Sequence, residues 1–140
     1  PLKSKVLRDT NVLIFTTKRS SKTKYKKLIG AGIQVVACAG NSISVGAVLK
    51  ELVRRDVVSV FVEGGAGVLG SFVDAKCVDK MYIFQSPVIV GGEEAKSAVG
   101  GKGAASIRQA LRLTRVKRQM FGDDVLVSGY LAKDEKTSKR

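Results

Sequence analysis

The chain reads as short apolar runs separated by mixed, glycine-punctuated segments. "NVLIFTT" (11–17), which ends in hydroxyls, and "IQVVACA" (33–39) are rich in β-branched residues, and runs of this length predict strands. Between them "KYKKLIGAG" predicts a helical turn closed by glycine. After "GNS", Ser42 is placed to cap a helix over 43–55, with Val45, Val48, Leu49, Leu52 and Val53 on one stripe. Residues 57–62, "VVSVFV", are almost continuously apolar, the pattern of a central parallel strand covered on both faces. A helix over 67–75 follows, then a strand through "VDKMYIFQSP" ending at Pro87, and two strands over 111–120 and 125–131 around a "GDD" turn. Strand, helix, strand, helix, strand and a terminal hairpin predict an α/β fold: a mixed, mostly parallel sheet flanked by helices, with an antiparallel C-terminal edge. No internal repeat is present.

The stretch "VFVEGGAGVLGSF" concentrates the candidate chemistry. Gly65, Gly67 and Gly70 satisfy GxGxxG between a predicted strand and a predicted helix, a pattern that lets backbone approach a pyrophosphate at a helix N-terminus. The acidic residue expected about 20 positions on is absent, because that region reads "FQSPVI". Tight packing of helix against strand is the competing reading of the same glycines. Packing does not account for Glu63, a carboxylate at the predicted ligand-binding end of an α/β sheet.

Composition narrows the setting. With 140 residues, 44% hydrophobic, the chain is long enough for one core. No apolar run approaches the length of a membrane span and no secretory signal pattern opens the sequence, so a soluble intracellular protein is expected. Cys38 and Cys77 lack a CxxC spacing and read as two reduced, half-buried thiols, with no metal site. Histidine is absent, which excludes Ser-His-Asp and Cys-His catalysis and leaves carboxylates, lysines, hydroxyls, backbone amides or a cofactor.

Charge adds a second theme. The formal net charge is +13, with Lys18, Arg19, Lys22, Lys24, Lys26 and Lys27 in one acid-free segment and Arg108, Arg112, Arg115, Lys117 and Arg118 in another. Such faces collect a phosphorylated small molecule, lie against nucleic acid, or are simply solvated. Tyr25 is the only aromatic ring among the lysines of the first cluster, so that segment carries no stacking platform for a single strand.

At this point the residues carry a resemblance. "SVFVEGGAGVLGSFVDAKCVDKMYIFQSPVIVGG", flanked by "PLKSKVL" with "VLIFTT" and by "LRLTRVKRQMFGDDVLVSGYL", resembles the reductase domain of bifunctional riboflavin-biosynthesis proteins. The resemblance implies a dihydrofolate-reductase-like fold and NADPH-dependent reduction of the ribosyl group of 5-amino-6-(5-phosphoribosylamino)uracil to ribityl. Carried over by position, it implies that Gly64, Gly65, Ala66 and Val68 cradle the cofactor's pyrophosphate and nicotinamide ribose, with the glycine pair joined by the cis bond common in such folds, and that Thr16 and Thr17 contact its adenosine half. Glu63 matches the glutamate at the substrate end, where a carboxylate holds ribose hydroxyls or orients a proton donor. Lys18 and Arg19 are placed by charge alone to meet a 2′-phosphate.

The family's domain begins well before "PLxSK", with a first strand and a substrate-gripping Asp and Arg. The chain is therefore expected to be a fragment: residues 1–132 a reductase-like domain incomplete at its N-terminus, and 133–140 a polar tail. Its expected partners are the phosphorylated substrate and further copies or a longer chain, with no membrane. The alternative function is a non-catalytic basic descendant of the fold, a structural subunit of a larger assembly that contains RNA.

Overall fold

The computed structural model describes residues 3–8 and 11–132; the tail expected over 133–140 lies outside them. The described chain divides into two compact units, one up to Val60 and one from Phe61 onward.

The first unit is built on a β-α-β crossover. Strands β1 (Leu13–Thr17) and β2 (Gln34–Cys38) pair in parallel, Leu13 opposite Gln34 and Thr17 opposite Cys38. Parallel strands need a connection long enough to return the chain, and α1 (Lys22–Gly30) supplies it. Ser21 starts α1 by accepting the Lys24 N–H at 3.4 Å. Ile33, at 2% exposure, and Cys38 are its buried apolar side chains. Helix α2 (Val45–Val53) is capped by Ser44, not by the expected Ser42: the Ser44 hydroxyl reaches the Ala47 N–H at 3.2 Å, which leaves Ser42 and Ile43 outside the helix. At the far end of α2, Glu51 pairs with Arg55 at 2.8 Å and Arg54 at 3.3 Å, and Arg55 also donates to the Gln34 side chain at the start of β2.

The second unit contains α3 (Ala66–Asp74) and the strands β3 (Lys80–Gln85), β4 (Leu113–Phe121) and β5 (Asp124–Leu131). These strands form an antiparallel sheet in the order β3-β5-β4, with Lys80 opposite Tyr130 and Gln85 opposite Val125. The β4–β5 hairpin closes with Phe121 opposite Asp124, around the turn predicted from "GDD". A register shift between Thr114 and Lys117 contains Arg115, whose φ of 49° marks a bulge.

Helices α1, α2 and α3 stop in the same way. The N–H of Gly32 returns to the Ile29 carbonyl and that of Ile33 to Leu28; Asp56 and Val57, then Lys76 and Cys77, repeat the paired bonds for α2 and α3. The left-handed residues Gly32, Asp56 and Lys76 make these turns, satisfying carbonyls that the helix end would otherwise leave open.

Several expectations are corrected. Residues 57–62 take no strand pairing among the described residues, and Val58 and Phe61 stand 99% and 72% exposed. An apolar run becomes a strand only when a neighbour pairs with its N–H and C=O groups, and no described strand forms a ladder with this one. Among the described residues parallel pairing is accordingly confined to β1 and β2. The described peptide bonds are all trans, the one between Gly64 and Gly65 included. The cysteines are unlike each other: Cys38 is buried and Cys77 exposed, both free. Among the described residues no helix is long and apolar enough to cross a membrane.

Candidate functional site

The residues singled out from the sequence fall into two groups, one in each unit. In the second unit, residues 63–68 run from an extended segment into the first turn of α3. Glu63 is exposed and has no ion-pair partner among the described residues. It therefore stands as a free carboxylate just before a helix, rather than at the end of a paired buried strand.

Gly65 is the N-cap of α3, with extended backbone (φ −79°, ψ 174°) and a carbonyl that accepts from Val68 and Leu69 at 3.0 and 3.2 Å. It has no capping side chain, so the N–H groups at the start of the helix, those of Ala66 and Gly67, have no intrahelical acceptor. A Cβ built on Gly65 or Gly67 meets nothing within 4 Å, so the space in front of this turn is open. Gly64 is different, because a Cβ there would lie 3.0 Å from that of Val68. Open space, unpaired N–H groups and the positive end of a helix dipole make a fitting seat for a phosphate or pyrophosphate. Gly64, Gly65, Ala66 and Val68 are thus brought together by continuity of chain, with Glu63 at their edge and the Val68 N–H already committed to the Gly65 carbonyl.

In the first unit, Thr16 and Thr17 end β1, and Lys18 and Arg19 follow as exposed cations. Thr17 lines a recess of about 250 Å³ together with Lys18, Ser20, Lys22, Tyr25, Lys26 and Ala37. The parallel pairing of Thr16 with Ala37 brings the β1 end and β2 to one place, and α1 turns Lys22, Tyr25 and Lys26 toward it at helical spacing. Three cations around two hydroxyls and one phenol suit a phosphate carried on a sugar. The lysines were legible in the sequence; Ser20, Tyr25 and Ala37 were not, because only the crossover gathers them. Lys24 and Lys27 also lie on α1 but do not line the recess.

One further arrangement escaped the sequence. Lys80 lies over the rings of Tyr82 (4.6 Å to the centroid) and Tyr130 (5.2 Å), and Arg115 lies over Tyr130 at 5.2 Å. Hydrogen bonding to Tyr82, and then the influence of Tyr130, holds the Lys80 ammonium above its ordinary pKa. Pairing across β3, β5 and β4 assembles it, and no local pattern announces it.

Comparison with known proteins gives this arrangement a family. Residues 1–127 match the family described as RibD C-terminal domain. The riboflavin biosynthesis protein RibD of Bacillus amyloliquefaciens is 34% identical over 123 residues, which is 88% of this chain and 33% of that protein. The 2,5-diamino-6-ribosylamino-4(3H)-pyrimidinone 5′-phosphate reductase of Aquifex aeolicus is 35% identical over 115 residues, 81% of this chain and 51% of the relative. The chain thus spans about a third to a half of the length of these relatives. Acinetobacter baumannii RibD shares the fold, with a TM-score of 0.77 at 18% identity over 94% of this chain and 34% of that one. The fold is the dihydrofolate-reductase-like α/β class that the sequence resemblance implied. With the Glu-Gly-Gly turn standing before α3 and the match running through both units, the chain belongs to the RibD C-terminal domain family.

Proposed function

We propose that this chain carries the reductase activity of riboflavin biosynthesis, using NADPH to convert the ribosyl group of 5-amino-6-(5-phosphoribosylamino)uracil to ribityl. The observation that carries the reading is the Glu63-Gly64-Gly65 turn, kept open in front of α3 in a member of a family that includes pyrimidinone phosphate reductases. When bound, a nicotinamide would supply the hydride that the sugar's C1′ accepts; the C1′–O4′ bond would break and O4′ would take up a proton, so that one NADPH and one proton would balance the ribityl product and NADP⁺.

Each group of residues has a part in this reading. Ala66 and Gly67 donate backbone N–H groups to the pyrophosphate, while Gly64, Gly65 and Val68 shape the turn around it. Glu63 holds ribose hydroxyls of the substrate or orients the group that protonates O4′. Thr16 and Thr17 contact the adenosine half, and the recess with Lys18, Lys22 and Lys26 takes the 2′-phosphate, with Arg19 as a neighbouring cation. This assignment selects NADPH over NADH by charge.

The test separates cofactor from substrate. Replacing Lys22 and Lys26 with Gln is expected to weaken NADPH binding about tenfold and to leave NADH binding within about twofold, since only NADPH carries the extra phosphate. Replacing Lys24 and Lys27, which do not line the recess, should change neither. Equal losses for both cofactors, or none, would remove the 2′-phosphate assignment. For the substrate, turnover with the phosphoribosylaminouracil should exceed turnover with the 2,5-diaminopyrimidinone; the reverse order would move the chain to the pyrimidinone reaction.

A further inference from the structure

The glycines left over by the dinucleotide reading lie against α3 and in the loop that connects β3 to β4. Gly70, on α3, is buried, and a Cβ there would sit 2.3 Å from the carbonyl carbon and oxygen of Gly100. The loop backbone therefore rests directly on the helix. Gly100 donates its N–H to the Ala66 carbonyl at 2.9 Å, in the first turn of α3. A residue with a side chain at Gly101, where φ is +89°, would be strained and would place a Cβ 2.5 Å from Asp74 Oδ2.

Asp74 completes the attachment at the other end of α3. Its Oδ2 accepts the Lys102 N–H at 2.7 Å and its Oδ1 accepts the Gly103 N–H at 3.3 Å. A carboxylate in the last turn of a helix opposes the helix dipole, so this position is unfavourable unless another group holds the charge. The two loop amides do so. One helix thus carries the carboxylate that fastens the loop and, two turns away, the carbonyl to which the loop returns.

We propose that Asp74 is a positioning residue for the cofactor site: by fastening residues 100–103 along α3 it fixes the Gly100-to-Ala66 hydrogen bond, and with it the helical turn whose Ala66 and Gly67 amides face the pyrophosphate. The proposal rests on the reductase reading of residues 63–68. Asp74 touches neither cofactor nor substrate and acts through the loop. Loss of its carboxylate frees the loop, releases the Ala66 carbonyl and lets the first turn of α3 fray, since first-turn residues have few bonds of their own.

The test has two arms. The first is amide hydrogen exchange without cofactor, comparing the parent with Asp74→Ala. Exchange should quicken at Lys102 and Gly103 and also, together with them, at Val68 and Leu69, whose N–H groups close the first turn on the Gly65 carbonyl. The second arm is NADPH affinity. Asp74→Ala should weaken it about tenfold, and Asp74→Asn, which keeps one carbonyl acceptor, about threefold. Phe72→Leu, a half-buried change on the same helix that leaves the loop contacts in place, should lower the melting temperature without weakening NADPH. This separates positioning from general destabilisation.

Faster exchange in the loop alone, with Val68 and Leu69 unchanged, would overturn the proposal. So would an NADPH loss in Phe72→Leu equal to that in Asp74→Ala. If the parent itself fails to bind NADPH, the reductase reading falls, and the exchange arm still decides whether Asp74 governs the first turn of α3.

Discussion

Gly70→Ala is the sharpest test of the packing described here, because ordinary helix energetics and this structure give opposite signs. In a solvent-exposed helix the change would stabilise by about 1 kcal/mol through backbone propensity. Here the new methyl group would meet Gly100 C and O at 2.3 Å and Gly101 N at 2.6 Å, all backbone atoms that no rotamer change can move. The loop must lift. Lifting strains or breaks three hydrogen bonds, Gly100 to Ala66 and both amides to Asp74, worth roughly 1 kcal/mol each. Against the propensity gain the net loss is about 2 kcal/mol, or a fall in melting temperature of roughly 6–8 °C for a domain of this size. Gly67→Ala is the control: the same helix offers its Cβ open space, so it should hold or raise the melting temperature. Thermal and urea unfolding of both variants beside the parent decide the matter. A Gly70→Ala protein as stable as the parent would refute the close approach of the loop to α3.

That contact shows why the sequence yields some parts of the molecule and not others. The β1-α1-β2 crossover and the C-terminal hairpin are legible because hydrophobic period and turn residues act locally, as in "VLIFTT" and "FGDD". The start of α3 is legible for the same reason: glycines ahead of an apolar stripe mark a helix entry. Residues 57–62 misled because their composition is that of a buried strand, whereas strand formation depends on a partner that the run cannot specify. The bonds from Asp74 to Lys102 and Gly103 span 28 and 29 positions across a segment with no periodicity, so nothing near either residue announces them. Glu63 and the Gly64-Gly65 pair stood out by chemical type, and the same types at Asp74 and Gly100 did not, because they lack a motif.

Three other outcomes are expected. Gly65→Val should fold normally, since φ −79° and ψ 174° suit any residue, yet lower NADPH affinity at least about tenfold in titration calorimetry by filling the space before α3; unchanged affinity would remove the glycine turn from the cofactor site. Lys80→Met should reduce thermal stability near neutral pH and lose its effect in alkali. Folding raises the Lys80 pKa from 10.5, so the contribution is whole below 10.5 and fades as pH climbs through the raised value; a pH-independent difference would deny the interaction with Tyr82 and Tyr130. Single-stranded RNA should bind weakly, its log affinity falling by less than about two per tenfold rise in salt; a slope near three, flattened by replacing Lys22, Lys24, Lys26 and Lys27 with Gln, would represent about four phosphate contacts and favour the RNA-associated alternative.

Hydride delivery to the sugar is the central claim, and isotope transfer tests it most directly. The polypeptide carrying this sequence is incubated with 5-amino-6-(5-phosphoribosylamino)uracil and NADPH deuterated at the transferable C4 position, and the product is read by mass spectrometry and NMR. The account expects a ribityl product with one deuterium at C1′, formed in parallel with NADP⁺, and product formation lowered at least about a hundredfold by Glu63→Gln, in line with the usual contribution of a positioned acid–base group. Unreduced substrate beside intact NADPH, or a product without deuterium at C1′, would contradict it.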